Sequence, residues 1–267
     1  MHRSAGTSLR PSSERAADDL IRQLSSGAPG RWLATAGALQ GLAPEEQWDV
    51  LSSPGVGDQP YARLLRHKMG AACSSTLRSL ETHAGKDEFD QTQAVVEWCK
   101  RLASVGTADE IFENGKANVN DPEWWVPPIN ADKLSEQEKS IQNRALKHRL
   151  QGAKSITELR NTIDALWLLR SRVFGQSWME VMRLSRYDRG LLHEAVPLGA
   201  ACLIANGCGP GDVNTIHYCA LMPGFQCLEG MSLDDAMRWN LSPRVYRLAR
   251  TMQAQAVGAY RQKQTGL

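Results

Sequence analysis

The chain has 267 residues, 22% of them charged and 42% hydrophobic, which is enough for one large domain or two small ones around a proper core. Lys plus Arg number 31 against 29 Asp plus Glu, a net charge of +2; that weighs against a bulk nucleic-acid binder and excludes a long acidic tail. No run of about 18 apolar residues predicts a membrane span, and the opening MHRSAGTSLRPSSERAADD lacks the apolar stretch of a Sec signal peptide.

Residues 1–12 have almost no apolar content and read as a disordered head. Ser13 can cap a first helix with Ala16, Ala17, Leu20, Ile21 and Leu24 on one face. A short helix is expected over 32–39. Another starts at Pro44, with Glu45 and Glu46 in its first turn, where the helix dipole favours anions. After the loop 52–60, helical spacing predicts helices over 60–82 and 88–104 and a short piece at 108–112. Asn, Asp, Gly and Pro then dominate residues 114–133, and Pro122, Pro127 and Pro128 forbid a continuous helix. This stretch reads as a linker between a helical subdomain at 13–113 and a second at 134–267. Trp124 and Trp125 within it are candidate anchors for a partner, since Trp is enriched at interface hot spots.

The second half is more strongly helical. Ser135 and Glu138 form a capping box ahead of a polar helix to about 150. A stripe of Ile156, Leu159, Ile163, Leu166, Trp167 and Val173 predicts a core-facing helix over 155–173. Asp188 is expected to cap a helix to Leu192, with Pro197 starting a separate segment to Ala205. The run NGCGPGD at 206–212 is a sharp loop. Residues 213–222 read as helix, with β-branched Val213, Thr215 and Ile216 leaving a strand as the alternative. Short and long helices follow at 233–239 and 243–262, the last capped by Ser242 with Pro243 at its first position. The predicted class is all-α, in two helical subdomains.

Charge divides unevenly. Residues 1–133 hold 14 basic and 18 acidic side chains, and residues 134–267 hold 17 and 11. Arg244, Arg247 and Arg250 recur every three residues on the last helix and form a candidate docking row for an acidic protein surface. Aromatic interleaving is too thin for single-stranded nucleic acid.

Four of the six cysteines, Cys202, Cys208, Cys219 and Cys227, fall within 26 residues of one another. Without a dense framework of the kind small secreted domains use, the thiols are expected to be reduced. No CxxC pair occurs, so neither a zinc site nor any other metal or cofactor is expected. Cys208, between two glycines and just before a helix start, is a candidate nucleophile, because a helix N-terminus lowers a thiol pKa. His217 is its candidate base, and Asp212 or Asn214 the candidate orienter. His193 and Glu194 are further candidates. No GxxxxGK[ST], HExxH, GxSxG or GxGxxG motif is present.

The segment 200–222, with Ala205-Asn206-Gly207-Cys208-Gly209, resembles the nucleophile loop of papain- and transglutaminase-like bacterial cysteine hydrolases. The resemblance implies a hydrolase or transferase using Cys208 and His217. The chain departs from that pattern at 210–213 and has no His after Met222. The head resembles the N-termini of type III-secreted bacterial effectors: it is Ser-rich, has no acid in its first twelve residues and no Lys before Lys68. That resemblance implies export from a bacterium into a host cell. The expected function is therefore a secreted virulence effector that binds a host protein rather than catalysing a reaction. The cysteine enzyme and a cytoplasmic helical regulator or chaperone, binding a bacterial protein, are the alternatives.

Overall fold

The computed structural model describes residues 39, 41–57, 59–82, 93–106, 133–153, 156–221 and 225–262, with Arg15, Ala17 and Asp18 near the start. Among these residues every regular element is helical: α1 (Pro44–Ser52), α2 (Pro60–Thr82), α3 (Gln93–Leu102), α4 (Glu136–Gly152), α5 (Ile156–Leu168), α6 (Ser177–Val181), α7 (Arg186–Ala205), α8 (Val213–Leu221), α9 (Leu233–Asn240) and α10 (Pro243–Arg261), with a 3-10 turn at Arg172–Phe174. The protein is all-α, as the periodicity predicts. None of these helices is long and apolar enough to cross a membrane. Most of the expected first helix and of the 32–39 helix, the 108–112 piece and most of the 114–133 linker, with Trp124 and Trp125, lie outside the described residues.

The helices form two compact units that do not follow chain order. One gathers the described residues up to 106 together with 209–232; the other gathers those from 133 to 208 and from 233 to 262. A linear division at the 114–133 linker would place 209–232 in the wrong unit.

In the first unit, α1 begins on Pro44, and the Glu46 carboxylate accepts the Ala43 N–H at 2.9 Å. It buries Trp48, Val50 and Leu51. On α2, Ala62, Leu65, Met69, Ala72 and Cys73 form a buried stripe at helical spacing, and on α3 Val95, Trp98, Cys99 and Leu102 do the same. α8 completes this unit. It is a helix despite its β-branched residues because its start is capped: Asp212 Oδ1 accepts the Asn214 N–H at 2.8 Å, and the Asp212 carbonyl accepts the Ile216 N–H at 3.0 Å. The preceding loop is pinned through one carbonyl, Gly211 O, which accepts from Gln47 Nε2 at 3.1 Å and from Trp98 Nε1 at 3.2 Å. Those two bonds, from α1 and α3, hold the returning segment in this unit.

In the second unit, Ser135 and Glu138 form the expected capping box of α4: the Ser135 N–H donates to Glu138 Oε2 at 2.8 Å, and the Glu138 N–H donates to Ser135 Oγ at 3.3 Å. α4 is polar and buries only Leu146 and Leu150. α5 carries the core, with Ile156, Leu159, Ile163 and Leu166 fully buried. It stops at Leu168 rather than 173. Arg170 takes a left-handed conformation (φ 49°), the Arg170 N–H donates to Trp167 O at 2.8 Å, and the Ser171 N–H donates to Leu166 O at 2.9 Å. This is a Schellman closure with Arg where Gly is usual. Val173 then belongs to the 3-10 turn, capped by Ser171.

α7 differs from expectation in two ways. Its cap is Ser185, whose Oγ accepts the Asp188 N–H at 3.0 Å; Asp188 sits three residues inside the helix. The helix also runs unbroken through Pro197. An interior proline costs roughly 3 kcal/mol, but Leu191, Leu192, Ala195, Val196, Leu198, Ala200 and Ala201 are all buried around it, and their packing outweighs that cost. α7 packs on α5 and α10. Gly199 is required where α7 meets α10, because a Cβ there would run into the Gln253 amide. That buried amide donates to Ala195 O at 3.0 Å.

Candidate functional site

The expected Cys208–His217–Asp212 constellation is not assembled as a thiol site. The structure pairs all six cysteines, as Cys73–Cys99, Cys202–Cys208 and Cys219–Cys227. The expectation of reduced thiols is corrected accordingly. Cys208 is buried, has a left-handed backbone (φ 65°) and bonds to Cys202 across the turn that ends α7. The same turn places Asn206 in the left-handed region, and the Gly207 N–H donates to Cys202 O at 3.0 Å. A disulfide sulfur carries no thiolate, so it cannot act as the nucleophile. Cys208 also belongs to the second unit, whereas Asp212 and His217 belong to the first.

Asp212 has a structural task instead. It is 6% exposed, and its Oδ1 accepts both the backbone N–H and the side-chain amide of Asn214, at 2.8 and 3.0 Å. Lys68, on α2, donates from Nζ to Asn214 Oδ1 at 2.7 Å and is itself buried. Burial pushes the Asp212 carboxyl above the usual carboxylate range, opposed by its bonds to Asn214 and by the Lys68 charge. His217 is half-buried on α8.

The arginine row is also split. Arg244 and Arg247 are exposed and make no ion pair among the described residues. Arg250 does not share that freedom. Its guanidinium bridges Asp234 at 3.1 Å and donates to Gln253 Oε1 at 3.2 Å. Tyr246 Oη donates to the same Asp234 carboxylate at 3.1 Å. Burial and the Asp234 charge raise the Tyr246 pKa, while Arg250 and Arg238 pull it down. Beside this network, on α9, Arg238 is exposed and Trp239 is 62% exposed.

A second polar pair lies on α5 and α7. His193 Nε2 is 2.6 Å from Asp164 Oδ1, and its ring stacks on Trp167 at 5.7 Å between centroids. Trp167 in turn meets Trp178 at 4.8 Å and Phe174 at 6.0 Å. One turn along α5, Arg160 bridges Glu194 at 3.0 Å. The hydrogen bond to Asp164 raises the His193 pKa, against the opposing pull of burial. Asp164 thus orients the imidazole and favours its protonated form. Asp164 and His193 are 29 residues apart on separate helices, so no spacing rule links them; the available signal is that Asp164 and Trp167 are three residues apart on one helix face.

The sign of the pH effect follows from the raised value. The Asp164–His193 bond contributes its stability fully below the ordinary histidine pKa of about 6.5 and loses it as pH rises through the folded value. NMR titration is expected to give His193 a higher pKa in the native protein than in Asp164→Asn. Equal values would show that Asp164 does not control the ring.

Among the described residues no group of three or more His, Cys, Asp and Glu side chains is placed to hold a metal ion. Comparison with protein-family models, with curated proteins and with solved structures finds no match.

Proposed function

We propose that this is a secreted bacterial protein that acts by binding a partner protein with an acidic surface. The observation that carries the reading is the exposed Trp239 beside Arg238 on α9, with Arg244 and Arg247 exposed at the start of α10. A large exposed aromatic next to Arg238 in the chain, with Arg244 and Arg247 exposed and without an ion pair among the described residues, has the composition of an interface hot spot, and the charge of those arginines sets the sign of the partner. Arg250 is left out of this surface, because Asp234 already neutralises it.

The paired cysteines favour export, since disulfides persist in oxidising compartments. They favour an extracellular or other oxidising destination over a host cytosol, where glutathione would reduce them. A type III route into the cytosol remains the reading of the head alone.

The test is site-specific photo-crosslinking from position 239 in the intact protein, with Arg244→Glu/Arg247→Glu as the comparison. An acidic protein is expected to crosslink, and its affinity to fall about tenfold or more in the double variant while helicity is kept. Unchanged capture by the double variant would overturn the surface.

A further inference from the structure

Three large apolar side chains project from the corner between α6 and α7: Met179 is 61% exposed, Met182 54% and Tyr187 67%. Single exposed apolar residues are ordinary, but these three fall within one short stretch, 179–187. The Met182 N–H donates to Trp178 O at 3.0 Å, so the helical turn of α6 continues to Met182 and sets it beside Met179 on one face. Their neighbours in the chain are fixed in the core. Ser177, Val181 and Leu184 are buried, and Trp178 donates from Nε1 to Ser171 O at 3.3 Å and packs against Trp167. Core packing therefore accounts for the corner but not for the two methionines and the tyrosine that it presents outward.

The same stretch carries positive charge. Arg183 and Arg186 are exposed and make no ion pair among the described residues. Glu180 is the exposed acid within it, and Asp188, just beyond, accepts the Ser185 hydroxyl at 2.8 Å. Apolar tips with cations on the adjoining turn have the composition of an interfacial anchor. Methionine and tyrosine enter the boundary between headgroups and acyl chains, and arginine reaches the anionic headgroups from beside them. An acidic protein would match the two arginines but would need a pocket for each apolar side chain; a fluid bilayer needs no matching shape. No helix among the described residues is long and apolar enough to cross a membrane, so the contact is one of surface attachment.

We infer that the α6–α7 corner attaches the protein reversibly to an anionic bilayer, with Met179, Met182 and Tyr187 entering the interface and Arg183 and Arg186 on the lipid phosphates. This contact uses none of Trp239, Arg244 and Arg247 and does not rest on the partner surface they form.

Co-sedimentation of the intact protein with vesicles tests this, using phosphatidylcholine mixed with phosphatidylglycerol beside phosphatidylcholine alone. The protein is expected to bind the anionic vesicles, to leave the neutral ones in solution, and to be released by salt. Arg183→Gln/Arg186→Gln should lower the partition coefficient by about tenfold or more, and Met179→Ser/Met182→Ser by about tenfold. All four positions are exposed, so both variants should melt at the native temperature, which separates a lost contact from a lost fold. Arg244→Glu/Arg247→Glu is the comparison; an equal loss there would mean attraction by overall charge and overturn the corner as the anchor. No binding to anionic vesicles, equal binding to neutral ones, or unchanged binding in either α6–α7 variant would also overturn it. So would release by soluble glycerol 3-phosphate, which would mean capture of a headgroup alone. A dimer in lipid-free solution that Met179→Ser/Met182→Ser dissolves would give the corner to a second copy of the chain, and an acidic protein photo-crosslinked from position 182 would give it to a protein partner; either result overturns the assignment.

Discussion

Lys68→Met is expected to destabilise the protein by about 3–5 kcal/mol at neutral pH, the usual cost of stripping one partner from a buried charged network. Lys68 is 7% exposed, and its Nζ donates to Asn214 Oδ1 at 2.7 Å. Asn214 in turn satisfies Asp212, whose carboxyl burial already holds above its ordinary range. Methionine fills the volume but removes the one charge that lowers the Asp212 pKa across this network. A carboxyl whose folded pKa is raised contributes its stability below the unfolded value and loses it as pH rises through the folded one. Without Lys68 the folded value climbs further, so the loss should be larger at pH 8 than at pH 5. Asp212→Asn on the Lys68→Met background should recover much of it, because the carboxamide oxygen still accepts the Asn214 N–H that starts α8. Urea unfolding at the two pH values measures this. A loss below about 1 kcal/mol, or one without pH dependence, would mean that Asp212 does not depend on Lys68.

This network shows where sequence reasoning reached its limit. The helices themselves were legible, because burial repeats every three to four residues on α2, α3, α5 and α10, and because Pro44, the Ser135–Glu138 box and Ser242 act within one turn of chain. Features set by distant partners were not. Gln47 and Trp98 reach Gly211 across 164 and 113 residues, and no local pattern announces that 209–232 returns to the first unit. Pro197 looked like a helix start because its local rule is strong; buried neighbours on α7 overrode it. Arg250 looked equivalent to Arg244 and Arg247 by spacing, but only Arg250 has Asp234 within reach. Asp212 was visible as a residue of chemical interest, yet its role as a helix cap depended on Val213–Leu221 being helix rather than strand.

Replacing Cys73 and Cys99 together with alanine is expected to cost about 3 kcal/mol. The bond joins α2 to α3 with a sequence separation of 26 residues, for which the chain-entropy relation gives about 3.5 kcal/mol. Both cysteines are 0% exposed, so alanine leaves a small apolar gap and no stranded polar group. The other two bonds span 6 and 8 residues and should contribute less each, roughly 2–2.5 kcal/mol by the same relation. Two of the three bonds lie in the first unit. Reduction should therefore weaken the unit holding α1, α2, α3 and α8 more than the unit holding Arg244 and Arg247. Urea unfolding of the double variant, and of the native protein with and without a thiol reductant, checks both statements. A loss under about 1 kcal/mol for Cys73→Ala/Cys99→Ala would show that the bond adds little to an already packed α2–α3 contact. If the native protein also unfolds at the same urea concentration with and without reductant, the stability argument for an oxidising destination falls, because a protein indifferent to reduction could work equally well in a host cytosol. A loss near 3 kcal/mol is a large share of the 5–15 kcal/mol that holds a typical domain folded, and would tie the unit holding α1, α2, α3 and α8 to compartments where the Cys73–Cys99 bond survives.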